Sequence, residues 1–230
     1  MPRSSPSGRG SHAPPLAWAA VDPATGNVEE EYGARAFVAA STIKLFVYSA
    51  YRRSALDPTE VVPVGGVGGS GVAEYLRTPL VLADHAFLML AVSDNASTNV
   101  LLERLGFAAV AGELERLGLC DPRVRRLMMS GGPENETTPL DLAHGLARLL
   151  EEPFADDLLE ALRVAADAES FLPHLLPGII VAAKSGELDT VRHEVALLEQ
   201  DGRRLVTAVC SSPPARPDEL AAVAAQRWAA

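Results

Sequence analysis

The stretch Ala39-Ala40-Ser41-Thr42-Ile43-Lys44-Leu45-Phe46-Val47 organises the chain. Read as the opening of a helix, it sets Ser41 and Lys44 on one face, one turn apart. A serine hydroxyl is a poor nucleophile until a neighbour takes its proton. A lysine can take that proton only when neutral, a state favoured by desolvation or by nearby cations. The apolar residues Leu45, Phe46 and Val47 carry the helix into a core and leave its first turn dry. Free N–H groups at the helix start can also hold an oxyanion. Alone, Ser-x-x-Lys is a spacing that chance supplies often, and a capping serine followed by a surface lysine would read the same way. Its meaning depends on the rest of the chain.

Upstream, Leu16 to Val21 is a short apolar run, Asp22-Pro23-Ala24-Thr25-Gly26-Asn27 is a turn signal, and Val28 to Tyr32 returns as a second strand. Downstream, the helix runs to about Arg52, and Leu56 to Val72 is a Pro- and Gly-rich loop. Its Gly65–Gly71 segment lacks the Gly-Lys-Ser/Thr ending of a phosphate cradle. Val72 also stands where a nucleophile elbow would need glycine. Helical spacing then covers 80–90, 96–105, 108–117 and 155–166. Thr138 followed by Pro139 marks a further helix start.

After Pro177 the pattern turns to strands, at 179–184, 194–198 and 205–210, with Asp201-Gly202 as a hairpin turn. A last helix spans 217–229, acidic at its start and basic near its end. Strands at both ends and helices between predict an α/β (α+β) fold. It is an antiparallel sheet built from both termini, flanked by helices, with an inserted all-helical lobe. The expected division is a disordered tail at 1–14, a sheet lobe at 15–52 and 167–230, and a helical lobe at 53–166, with the site between the lobes.

A chain of 230 residues can bury roughly three quarters of its unfolded surface. A formal charge of −10 argues against a nucleic-acid partner, which would want a basic face. No window approaches a membrane span, and Met1 to Pro14 holds no apolar stretch of the length a secretory signal requires. The expected location is cytoplasmic, unless an export signal preceded this chain. Cys120 and Cys210 have no metal or redox spacing; Cys210 reads as a buried small hydrophobe, and a disulfide between the two is left open. The five histidines have no ligand spacing, so no metal or cofactor is implied. His193, beside Lys184-Ser185-Gly186, is a candidate for lining a pocket. Arg123-Val124-Arg125-Arg126 is either a solvated loop or an entrance that attracts anions.

Three short motifs stand in order: Ser41-x-x-Lys44, Ser93-Asp94-Asn95 and Lys184-Ser185-Gly186. In that order they resemble the set found in class A β-lactamases and penicillin-binding proteins. The resemblance extends to Phe37–Lys44, Gly69-Ser70-Gly71, the Ser93–Asn99 run and Thr137-Thr138-Pro139. It covers nearly the whole chain from Leu16. It implies a β-lactamase/transpeptidase-like fold and a serine hydrolase working through an acyl-enzyme at Ser41 on a β-lactam, ester or amide. Lys44 would be the base, and Ser93 would protonate the leaving atom. Asn95 would bind the acyl-side amide. Lys184, Ser185 and Gly186 would bind substrate, with Lys184 and Ser185 holding a carboxylate and tuning Ser93. The oxyanion would rest on the backbone N–H groups of Ser41 and Glu187. The Lys184 ammonium would favour a neutral Lys44. The expected partner is a small-molecule or peptide substrate with a carboxylate, and the protein is expected to be a monomer or weak dimer.

Departures from the family pattern matter equally. The resemblance implies an Ω-loop glutamate that activates the deacylating water, yet Leu119 to Pro133 contains no glutamate. Glu134 and Glu136 align with the closing end of that loop, and Asn135 replaces the acid that would close it by a salt bridge. Asn99 is expected to lack its usual glutamate partner. Arg192-His193 replaces the more usual Asn-Asp pairing, and the family's first helix is missing before Leu16. Slow turnover of β-lactams is therefore expected. Two other classes remain: a cytoplasmic acyltransferase or peptide-processing enzyme, in which an amine takes the acyl group, and a non-catalytic binding protein on the same fold.

Overall fold

A computed structural model describes residues 16–230. The expected tail and the missing first helix lie outside the described residues. Strands β1 (Leu16–Val21) and β2 (Val28–Glu31) form the expected hairpin, and β3 is the short Phe37–Val38. Helix α1 runs Lys44–Arg53. A small β4 (Val61–Val62) and β5 (Leu80–Val81) pair follows. Then come α2 (Leu82–Ala91), α3 (Asn95–Leu105) and α4 (Phe107–Arg116). β6 (Glu136–Thr137) pairs with β3 and leads into α5 (Pro139–Leu149). Helices α6 (Ala155–Glu169) and α7 (Leu172–Leu175) return the chain to the sheet. Strands β7 (Ile180–Leu188), β8 (Val191–Gln200) and β9 (Arg203–Ser211) precede the last helix, α8 (Pro217–Ala229).

The main sheet is antiparallel throughout, in the order β2-β1-β9-β8-β7. Alternation along its strands sorts side chains onto two buried faces. Ala182, Val195, Leu197, Val206, Ala208 and Cys210 pack with α1 and α5. Val181, Ala183, Ala196, Leu198 and Val209 pack with α8. A sheet covered on both faces explains why β8 and β9 carry long apolar runs. From Lys44 to Tyr51 helix α1 is buried on every side, its apolar residues in the core and its polar Lys44 and Ser49 held by internal partners. No helix among the described residues is long and apolar enough to cross a membrane.

Local expectations met specific corrections. Ser41 does not open an α-helix: Ala40–Ile43 forms a 3-10 turn, and the α-helix starts at Lys44. In a 3-10 turn residues i and i+3 eclipse one another, so Ser41 and Lys44 still share a face. The backbone N–H of Lys44 donates to the carbonyl of Ser41. Strand β7 extends past Lys184 to Leu188, which places the third motif inside the strand. Both cysteines are free, Cys120 exposed and Cys210 buried.

Candidate active site

Three elements converge on Lys44. Its side chain is fully buried, with Nζ 2.6 Å from the Ser93 carbonyl oxygen, 3.1 Å from Ser93 Oγ and 2.9 Å from Asn95 Oδ1. Burial, followed by the positive charge of Lys184, holds the amine well below the usual lysine range, against the opposing charges of Asp94 and Glu169. A neutral amine has two N–H donors and one lone pair. The Ser93 carbonyl and Asn95 Oδ1 can only accept, so they take both donors. In that neutral form the lone pair is open to accept a proton from a neighbouring hydroxyl; as an ammonium, Nζ donates to Ser93 Oγ as well. The Lys44 contacts thus join the buried amine to the Ser93 hydroxyl.

Ser93 itself sits at φ +53°, and Ala40, the residue before Ser41, at φ +47°. Each such non-glycine conformation costs about 1–3 kcal/mol and persists only where its surroundings enforce it. Around Ser93 the enforcing group is Asp94. Its carboxylate accepts from the backbone N–H groups of Val72 (2.6 Å), Ala73 (2.7 Å) and Ser97 (2.7 Å), capping α3 and tying down the 70–73 loop. Gly71, at φ +117°, is the residue that lets the loop approach: a β-carbon there would lie 2.2 Å from Asp94 Oδ2. The Asn95 backbone N–H donates to the Ser70 carbonyl. Asn95 has internal partners that the motif reading did not include. Its amide is used inside the protein, Oδ1 on Lys44 and Nδ2 on the Gly68 carbonyl, so it positions the amine.

The opposite wall is β7, the edge strand of the sheet. Gly186 abuts the nucleophile turn so closely that a β-carbon would lie 3.0 Å from the backbone nitrogens of both Ser41 and Thr42. Gly186→Ala should therefore push the strand edge away from Ser41 and slow acylation about 100-fold. Burst kinetics with an activated ester would show this, with an unchanged melting temperature separating it from unfolding. Glu187, whose backbone N–H is the expected second oxyanion donor, lies one residue further along this edge. Its side chain is ion-paired with Arg192.

Lys184 and Ser185 likewise have internal partners that the motif reading did not include. Lys184 is fully buried, with Nζ 3.0 Å from the Ser185 carbonyl and 3.7 Å from Glu169 Oε2. The Ser185 hydroxyl donates to the same Glu169 oxygen. Ser41, Ser70, Ser93, Ser185 and Gly186 line one cavity of about 360 Å³, together with Glu169, Glu187, Arg192, His193 and Glu194. Glu169 and Glu194 carried no signal in the motif reading. Glu194 becomes legible only through register, since it lies opposite Ser185 across the β7–β8 ladder. His193 does line the cavity, as its position beside the third motif suggested. It is buried, with Nε2 2.8 Å from the Val38 carbonyl.

The loop between α4 and α5 is pinned differently from expectation. Asn99 makes paired bonds with the Met128 backbone, Oδ1 accepting from N–H at 2.7 Å and Nδ2 donating to the carbonyl at 3.1 Å. Asn99 is thus partnered by main chain. Asn135, buried, accepts from the N–H groups of Arg125 and Arg126 and closes the loop with neutral hydrogen bonds. Arg125 pairs with Glu136 and Arg126 with Glu134, so neither arginine is an unpaired lure for anions.

With this geometry in view, comparison is informative. A model of the Beta-lactamase enzyme family matches residues 11–228. The chain belongs to that family. Among solved structures, the β-lactamase of Sphaerobacter thermophilus DSM 20745 is similar at 28% identity and a TM-score of 0.78, over 86% of this chain and 82% of that one. A β-lactamase from Xanthomonas campestris pv. campestris aligns at 21% identity and a TM-score of 0.82, over 91% of this chain and 89% of that one. A PBP-A variant solved as its acyl-enzyme complex with penicillin G aligns at 24% identity and a TM-score of 0.79, covering 89% and 85%. No curated protein sequence matches the chain. The protein is thus a β-lactamase-like serine hydrolase with the β-lactamase/transpeptidase-like fold. The hydroxyl-amine contact between Ser93 and Lys44 sits on that scaffold.

Proposed function

We propose that the protein acylates Ser41 with a β-lactam, ester or amide, turns over penicillins slowly, and serves another ester or amide as its substrate. The observation that carries this reading is the buried Lys44 amine, held by Ser93 and Asn95 one 3-10 turn from Ser41. In this scheme Ser41 Oγ attacks the carbonyl carbon and its proton passes to neutral Lys44. The oxyanion is held by the Ser41 and Glu187 backbone N–H groups, each such donor being worth about 3 kcal/mol. Collapse breaks the bond to the leaving nitrogen or oxygen, which takes the Ser93 proton. Lys44 then returns a proton to Ser93 across their 3.1 Å contact.

Hydrolysis of the acyl-enzyme needs a base for water. The absence of glutamate from Leu119 to Pro133 supports slow release, as does the engagement of Glu134 and Glu136 with arginines. A missing general base slows a step about 10²- to 10⁴-fold. Intact-mass spectrometry with benzylpenicillin and a p-nitrophenyl ester, followed over time, tests the proposal, with Ser41→Ala as control. The expected result is a persistent penicillin adduct that the control lacks. Prompt loss of the adduct would overturn slow turnover. No adduct from either donor would overturn the acyl-enzyme reading in favour of a binding protein.

A further inference from the structure

We infer that Glu169 is a positioning residue that stands in for the substrate carboxylate while the site is empty, and that the substrate carboxylate displaces it from Ser185 before Ser41 is acylated. The inference rests on the acyl-enzyme reading for the identity of the incoming group and on the contacts of Glu169 for the exchange.

Ser185 has a single hydroxyl proton, and it goes to Glu169 Oε2. Lys184 Nζ lies 3.7 Å from the same oxygen. An internal carboxylate thus already lies against the two groups expected to hold that of a substrate. Both carboxylates cannot take the Ser185 proton at once, and two of them beside one ammonium would repel in a partly desolvated cleft. Exchange of one for the other removes both conflicts.

The reason for a stand-in lies in Lys184. Its side chain is fully buried, and a buried cation without a partner is strongly destabilising. Burial lowers the Lys184 pKa, while the charge and the hydrogen bond of Glu169 oppose that shift. Glu169 therefore keeps the ammonium paired when no ligand is bound. Replacing one carboxylate by another leaves the charge beside Lys184 the same, which conserves the field that Lys184 exerts on Lys44.

Glu169 is also placed to leave. It is the last residue of α6, followed by the extended Ser170 (φ −88°, ψ 143°), and its side chain is 33% exposed. A side chain that already meets water at a helix end moves out by changing rotamer. The neighbouring groups do not take over its role. Burial pushes Glu194 up to about 7, so near neutral pH it carries only part of a charge. Arg192 is held by Glu187 and by the Ala215 carbonyl. If the Glu169 contact is favoured about tenfold over the open arrangement, the apparent affinity for a carboxylate falls about tenfold.

Benzylpenicillin and its methyl ester test the exchange, because they differ only at the carboxylate. Acylation of Ser41 is followed by intact mass over a range of concentrations in the wild type and in Glu169→Ala, at mildly acidic pH so that Lys184 keeps its proton in both. Glu169→Ala is expected to lower the half-saturating concentration of benzylpenicillin about tenfold and that of the methyl ester less than about twofold. If its melting curve shows that Glu169→Ala does not fold, Glu169→Gln carries the comparison, with the same direction expected. A merely structural role would shift both donors alike. An equal shift for the two, or a benzylpenicillin value that stays the same or rises, would overturn the inference. If neither donor acylates Ser41, the acyl-enzyme reading fails by itself, and calorimetry with benzylpenicillin on Ser41→Ala and Ser41→Ala/Glu169→Ala decides the exchange. Tighter binding by the double variant would sustain it, and equal, weaker or undetectable binding by the double variant would refute it.

Discussion

Lys44→Met lowers the rate constant for acylation of Ser41 about 10³- to 10⁴-fold, the upper part of the range for a lost general base. The reason is the placement of Nζ. It is dry, held by two groups that can only accept, and bonded to a third, Ser93 Oγ, that can give it a proton. Methionine keeps the volume but supplies no base and no donor. Two acceptors lose their partner, at about 1–3 kcal/mol each, while removal of a desolvated amine offsets part of that cost. The melting temperature should therefore move far less than the rate. The pH profile provides the second readout. Burial and the Lys184 charge depress the Lys44 pKa, so the wild-type rate rises with pH as the amine loses its proton and levels off above that pKa. In Lys44→Met the limb due to this amine disappears. A variant with wild-type acylation, or with the same limb, would remove Lys44 from the role of base.

Asp94→Ala should produce the largest loss of stability among the site residues, about 3–4 kcal/mol. Three backbone donors would lose a charged acceptor, each such bond being worth about 1.5–3 kcal/mol before relaxation, and α3 would lose its cap, worth about 1 kcal/mol. Val72 and Ala73 would be released along with the cap, so Ser93 would lose the frame that holds its φ of +53°. Burial by itself would raise the Asp94 pKa, but the N–H groups of Ala73, Ser97 and Val72 outweigh it and the net shift is downward. A depressed folded-state pKa means that this stabilisation is present above the unfolded carboxyl value, about 3.9. It is lost as pH falls through the lower folded value. Urea unfolding of wild type and Asp94→Ala at pH 7 and at successively lower pH measures both effects. The gap between the two proteins should narrow as pH falls. A gap that stays constant would mean that Asp94 acts by packing and not by charge.

Most of the secondary structure was legible because the relevant interactions are local. Thr138 accepts from Asp141 N–H with Pro139 at the first helical position, and Asp201-Gly202, both at positive φ, closes the β8–β9 hairpin. The 3-10 start at Ala40–Ile43 was not legible, since an α-helical and a 3-10 turn place Ser41 and Lys44 on the same face and the sequence pattern does not separate them. The contacts of Asn95 were not legible for a different reason. Its type and spacing state that an amide is present, but its two hydrogen bonds, to Lys44 and Gly68, are set by groups 51 and 27 residues away.

The division is clearest at the cavity. By itself the sequence determined the order of the three motifs, the antiparallel sheet drawn from both termini, and the presence of a serine and an amine at turn spacing, because these depend on residue type and periodicity. Only the tertiary structure decided which acidic side chains stand beside the third motif. Glu169 ends a helix and Glu194 lies within a strand, and neither belongs to a motif. The β7–β8 register brings Glu194 opposite Ser185, and the return of α6 to the sheet lays Glu169 on the Ser185 hydroxyl. Electrostatic interaction depends on distance in space, and distance along the chain does not report it.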